Sequence, residues 1–148
     1  MIPVGGKKFV ALGFVLAFLL AILDRLLKMS VENPIFANRL IGWRFFGFER
    51  FHNMGIAFGI PLPLWLVIPL TFLFLIALAI WIKKIDTPTT KLAFLIIFVG
   101  ALSNAFDRVT YGYTIDYLRV INAIINIADL FVIVGIGFLV SEQSSAKK

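Results

Sequence analysis

The stretch from Ile60 to Ile82, IPLPLWLVIPLTFLFLIALAIWI, carries no charged residue. A helix needs about 20 apolar residues to cross a hydrocarbon core of about 30 Å, and this run satisfies that alone. Three further apolar runs flank it: Phe9 to Leu23, Leu92 to Phe106, and Val120 to Val140, the last interrupted only by Asp129. As helix, the first and third cover only about 22 Å each. The first continues through Leu26 and Leu27, which carries Asp24 inside the membrane boundary. Helices are therefore expected over roughly residues 9–28, 61–82, 91–108 and 119–140.

Composition agrees. The 148 residues are 61% hydrophobic and 15% charged, with a mean hydropathy of +0.99. Soluble domains carry about 25% charged residues. A soluble globular domain, a disordered tail and a coiled coil are excluded. The net charge of +6 is too sparse for a nucleic-acid footprint and suits loops beside an anionic membrane surface. With no cysteine, disulfides, thiol nucleophiles and thiolate-bound zinc or iron–sulfur sites are ruled out.

The expected architecture is an all-α membrane protein of four transmembrane helices, a single integral domain over residues 1–148. Lys7 and Lys8 before an apolar run could pass for a signal peptide. Asp24-Arg25 stands where a small-residue cleavage site would lie, so the first helix is read as retained. Basic residues are equally numerous on the two sides, but the Lys-bearing segments Met1–Lys8, Lys83–Lys91 and Ser141–Lys148 are shorter. That density puts both termini in the cytoplasm. The long connection 29–60 holds Trp43, Phe45, Phe46, Phe48 and Phe51, punctuated by Gly42 and Gly47. It reads as a small β-rich extracytoplasmic element between helices one and two, with its aromatics at headgroup depth. The polar tail from Ser141 is expected to fray.

Ionisable groups at membrane depth are expensive and point to function. Four acids lie in or beside spans: Asp24, Asp107, Asp116 and Asp129. Asp129 is expected in the middle to outer third of helix four, with Asn122 and Asn126 on its face. Asp24 and Lys28 are i, i+4 neighbours, so a buried ion pair closing the first helix is their simplest role. Asp107-Arg108 reads as an interfacial pair, and Ser103 and Asn104 as hydrogen-bonding bridges between helices. His52 lacks a second ligand to share a metal, and Ser103 lacks the base a serine nucleophile needs. Asp129 needs a partner from elsewhere in the chain, and Asp116 is the choice. Two carboxylates facing one cavity share a proton, leaving one to activate water and one to protonate a leaving amine. Paired membrane acids also serve proton or cation transport. A small four-helix ion-coupled transporter using Asp129 is the alternative, and a scaffold pairing its acids with Arg25, Arg108 and Arg119 is a third reading.

Five ordered blocks resemble the lipoprotein signal peptidases (signal peptidase II), aspartic peptidases of the bacterial plasma membrane. These are Asp24 to Lys28, Asn53-Met54-Gly55-Ile56-Ala57-Phe58-Gly59, Gly100 to Arg108, Gly112 to Tyr117 around Asp116, and Asn126-Ile127-Ala128-Asp129. The resemblance implies that Asp116 and Asp129 are the catalytic pair. It implies that Asn53, Gly55, Asn104, Arg108 and Asn126 line or order the site, with Asp24, Lys28 and Asp107 in support. The implied substrate is a prolipoprotein, cleaved before its diacylglyceryl-modified cysteine. No metal or organic cofactor and no nucleic acid is implied. Membrane lipids are the implied surroundings, and a monomer in the bacterial inner membrane, its site toward the extracytoplasmic side, could hold the whole site. Ser103, Tyr117 and Ile125 depart from the family pattern, where Gly, Phe and Phe are common, and are expected to tune packing.

Overall fold

A computed structural model of the protein describes residues 4–35, 41–43, 45–56 and 60–146. Ala57, Phe58 and Gly59 of the second sequence block lie outside the described residues. The chain runs α1 (Val4–Glu32), β1 (Ile41–Trp43), β2 (Phe46–Asn53), α2 (Leu64–Lys84), α3 (Pro88–Tyr111), β3 (Thr114–Val120), β4 (Ala123–Ile125) and α4 (Ile127–Ala146). Among the described residues, Lys8–Glu32, Leu64–Lys84 and Pro88–Tyr111 are long and apolar enough to cross a membrane. The fourth helix spans 20 residues and keeps helical backbone into the tail expected to fray. Large apolar side chains cover the outside of the helices, with Leu12 62%, Leu73 64% and Ile133 57% exposed. Such a continuous apolar surface fits a lipid solvent and not water.

The helices pack through small residues. Gly13 of α1 lies against Leu92, Asp24 against Ser103 and Lys28 against Asp107, so α1 and α3 run parallel. Between α3 and α4 the packing is antiparallel: Gly100 meets Ala128 and Phe131, and Gly135 meets Ala93 and Ile97. A Cβ on Gly100 would come within 2.5 Å of the Ala128 carbonyl oxygen. Helices approach this closely only where a side chain is missing.

The sheet is larger than the sequence suggested. Its order is β1-β2-β3-β4, antiparallel throughout. Two strands come from the α1–α2 connection. The other two come from the α3–α4 connection, where a short loop and the start of helix four were expected. Thr114–Val120 is rich in β-branched and aromatic residues, and β2 supplies it with a ladder from Phe46↔Val120 to Asn53↔Thr114, with a bulge between Phe48 and Phe51. Backbone pairing, and not hydrophobicity, decides the conformation of this segment. Gly112 makes the switch possible. At φ 83° it ends α3 in the left-handed conformation, and its N–H bonds the Arg108 carbonyl, a glycine stop that turns the chain into β3.

Both strand-bearing connections leave the bundle at one end, and the connection Ile85–Thr87 lies at the other. His52 fastens β2 to the end of α1: its Nε2 lies 2.7 Å from Glu32 Oε1, and its ring stacks on Tyr113. Val31, Ile115 and Tyr117 form the small core under the sheet.

Gly100→Ala should lower stability by about 1–3 kcal/mol, because the added methyl collides with backbone and not with a yielding side chain. The check is the thermal midpoint in detergent beside Gly137→Ala, whose Cβ would meet nothing within 4 Å and which should leave the midpoint nearly unchanged.

Candidate active site

The start of α4 sets the site. Asn126 Oδ1 accepts the Asp129 backbone N–H at 2.9 Å, and Asp129 Oδ2 accepts the Asn126 backbone N–H at 3.2 Å. This reciprocal pair is a capping box, which satisfies two N–H groups at a helix start and places a carboxylate at its positive end. Helix four therefore begins at Ile127 and not near Arg119, and Asp129 sits in its first turn. Asn122 is not on a shared helix face with Asn126 and Asp129; it lies in the turn between β3 and β4. The Asn-x-x-Asp spacing carried this signal in the sequence.

Asn126, fully buried, joins the two acids. Its side-chain amide donates to Asp116 Oδ1 at 2.6 Å and to Asn104 Oδ1 at 3.1 Å. Asn104 in turn donates to Asp129 Oδ1 at 2.8 Å. The other oxygen of Asp116 accepts from Asn53 Nδ2 at 3.1 Å. Asn53 is held by the next turn, since its Oδ1 accepts the Gly55 N–H at 2.9 Å, and Arg108 Nη2 donates to the Gly55 carbonyl at 3.1 Å. Asp116 and Asp129 are thus linked through the amides of Asn126 and Asn104, with Asn53 on the other oxygen of Asp116. Among the described residues no ion pair reaches either one. Burial, and after it the charge of Asp129, pushes the Asp116 carboxyl up to about 7. Amide donors, which carry no net charge, orient both carboxylates without neutralising them.

Behind the pair lies an ionic cluster. Lys28 Nζ contacts Asp24 Oδ2 at 2.9 Å, Asp107 Oδ2 at 2.7 Å, Ser103 Oγ at 3.3 Å and Asn104 Oδ1 at 3.2 Å. Arg25 closes it with a 2.7 Å contact to Asp107 Oδ1 while its guanidinium lies over the Phe106 ring. The expected Asp24–Lys28 pair is present, but α1 runs on to Glu32 and the pair does not close the helix. The expected Asp107–Arg108 pair is not formed. Neighbours in a helix point in different directions, and Asp107 turns to α1 while Arg108 turns to the β2 loop. Ser103 and Asn104 bridge helices as expected.

Residues 16–144 match the family described as Signal peptidase (SPase) II. The chain belongs to the signal peptidase II family. A protein named lipoprotein signal peptidase in Allorhizobium ampelinum is 31% identical over 144 residues, covering 90% of this chain and 86% of that one. The protein of that name in Caulobacter vibrioides is 34% identical over 101 residues, 62% of this chain and 60% of that one. A bacterial membrane enzyme solved by the in meso method at 2.3 Å superposes with a TM-score of 0.82 at 24% identity, covering 93% and 92% of the two chains. That likeness concerns the fold.

As a member of the signal peptidase II family, the chain shows what two of its departures do. Ser103 Oγ donates to Asp24 Oδ2 at 2.8 Å, and Tyr117 Oη donates to Asp24 Oδ1 at 2.8 Å. Both hydroxyls complete the hydrogen bonding of one buried carboxylate, where a tuning of packing was expected. Burial and the Asp24 charge raise the Tyr117 pKa, so the phenol keeps its proton. Arg25 was also missed as a site-supporting residue. Its one sequence signal was its place between Asp24 and Lys28 on a helix that needed cations to balance two acids.

Lys28→Met should destabilise the protein by about 3–5 kcal/mol, since it leaves the buried Asp24 carboxylate without a cation and Asp107 with Arg25 alone. Arg25→Met should cost less, because that side chain is 26% exposed. Thermal unfolding in detergent at one pH ranks the two. Asp116 also predicts a pH slope. Its folded pKa of about 7 lies above the ordinary aspartate value of about 3.9, so the native state holds the proton more tightly. Stability is then full below about 4 and falls as the pH rises toward 7. Unfolding midpoints measured across that window should decline in the wild type and be flatter in Asp116→Asn.

Proposed function

We propose that the protein removes signal peptides from prolipoproteins as a membrane aspartic endopeptidase, cleaving before the diacylglyceryl-modified cysteine with Asp116 and Asp129 as the catalytic pair. The observation that carries this reading is the hydrogen-bonded link of the two acids through Asn126 and Asn104, with Asn53 on the other oxygen of Asp116 and, among the described residues, no ion pair on either acid. Family membership supplies the reaction class, and the relatives named lipoprotein signal peptidase supply the substrate class.

The chemistry follows from one shared proton. The ionised carboxyl takes a proton from water as its oxygen attacks the scissile carbonyl, and the protonated carboxyl gives its proton to the carbonyl oxygen. Collapse of the tetrahedral diol breaks the C–N bond as the amine gains a proton from one carboxyl and the other carboxylate takes a diol proton, which restores the singly protonated pair. Asn104 and Asn126 hold Asp129, and Asn53 and Asn126 hold Asp116, so the acids are oriented before substrate arrives. Lys28 acts one step back, through Asn104.

The reading includes an orientation and a state of assembly. The sheet and the dyad lie on the extracytoplasmic side of the inner membrane, and both termini are cytoplasmic. The single end at which α1, α3 and both strand pairs meet supports this, as does the lysine density beside the opposite helix ends. The exposed Trp43, Phe45 and Phe46 suit headgroup depth. One chain supplies every residue of the pair and its amides, so a monomer suffices.

Purified protein in detergent, incubated with a diacylglyceryl-modified precursor, should release a signal peptide detectable as a mass shift. Asp116→Asn and Asp129→Asn should each abolish that shift while still inserting and purifying as monodisperse protein. Cleavage that survives either substitution would falsify the dyad. The pH–rate profile should be bell-shaped with its basic limb near 7, following the raised Asp116 carboxyl.

A further inference from the structure

Tyr117 occupies a position that the chemistry above does not use. It is fully buried and sits directly after Asp116 on β3. Its hydroxyl donates to Asp24 Oδ1 at 2.8 Å and accepts the backbone N–H of Ile127 at 3.3 Å. Ile127 is the first residue of α4, two before Asp129. The backbone of Tyr117 therefore carries one acid, and its hydroxyl grips the helical turn that carries the other.

The contacts form a closed ring. Tyr117 bonds Asp24, Asp24 bonds Lys28, Lys28 bonds Asn104, Asn104 bonds Asp129, and the first turn of α4 returns to Tyr117 through Ile127. Asp129 is thus fixed twice, by its side chain through Asn104 and by its backbone through Tyr117. The capping box accounts for the Asn126 and Asp129 N–H groups at this helix start. The Ile127 N–H is satisfied by the tyrosine, and an orphan donor at a buried helix start is costly.

We propose that Tyr117 is a positioning residue that sets the separation of Asp116 and Asp129, so that its hydroxyl governs how strongly the two acids share their proton. Its hydroxyl bonds neither acid and acts through β3 and the first turn of α4. The ionisable groups packed around this ring are Asp24, Arg25 and Lys28 from α1, Asp107 and Arg108 from α3, Asp129 from α4 and Asp116 from β3 itself. Tyr117→Phe leaves all of them in place and removes one oxygen. Asp24 keeps Ser103 and Lys28 as partners, whereas the Ile127 N–H loses its acceptor and α4 is freed to shift.

This inference rests on the peptidase reading, and the experiment separates the two. Cleavage of a diacylglyceryl-modified precursor is followed across pH for wild type, Tyr117→Phe, Val31→Ala and Asp116→Asn. Tyr117→Phe should lower kcat about 10- to 100-fold, the range expected when a reacting group is displaced by about 1 Å, with KM little changed. The two apparent pKa values of its profile should also move closer together, because acids held farther apart couple more weakly. Val31→Ala loosens the same small core and should lower the thermal midpoint without moving the pKa separation. A Tyr117→Phe enzyme with lowered stability but wild-type kcat and pKa separation overturns the positioning role. A cleavage-competent Asp116→Asn enzyme overturns the peptidase reading itself. Should Tyr117→Phe fail to fold, 3,5-difluorotyrosine at position 117 keeps the ring and weakens the oxygen as an acceptor. It should then show the same narrowing in smaller degree, and an unchanged profile counts against the role.

Discussion

A single buried ammonium holds this end of the molecule together. Lys28 Nζ has no exposure to solvent and touches Asp24, Asp107, Ser103 and Asn104. Desolvating such a charge is tolerable only when its donors all find acceptors and nearby carboxylates balance it. The balance fixes α1 against α3, because one carboxylate comes from each helix. It also fixes Asn104, whose oxygen takes the lysine and whose nitrogen reaches Asp129. The geometry of an amide group thereby couples the buried charge cluster to Asp129 without a direct lysine–Asp129 contact.

The sheet provides the second constraint. Asp116 lies on β3, paired with Phe51 of β2, and its position depends on strands contributed by two separate inter-helix connections. One hairpin brings Asn53 and the other brings Asp116, and the ladder between them sets the 3.1 Å contact of their side chains. Backbone hydrogen bonding at the membrane edge is thus what carries the first acid to the helix that carries the second. Ile121 marks the effort in the return turn: it is the one described non-glycine residue with positive φ, at 57°, a conformation that a β-branched side chain resists.

The Asp24–Lys28 pair was legible because both residues lie on one helix, where spacing dictates proximity. The Asp116–Asp129 partnership was legible as a need: an acid at membrane depth requires something to face. What failed did so wherever an apolar segment could be read in two ways. Val120 to Ile125 is as hydrophobic as the helix that follows it, and only strand pairing separates the two. Extending helix four through that segment put Asn122 on the wrong element and Asp129 too deep. Asp107-Arg108 shows a different limit: adjacency in sequence does not bring side chains together on a helix.

The solvent, the number of apolar helices and the family likeness were readable from the chain alone, because hydrophobic run length and local spacing do not depend on packing. The tertiary structure decided which strand carries Asp116, where helix four begins, and which partners Asp107, Arg108, Ser103 and Tyr117 choose. Those outcomes depend on contacts between residues as far apart as Asp24 and Tyr117. A buried polar group takes whichever partner the packed helices bring within reach, and sequence spacing does not encode that distance.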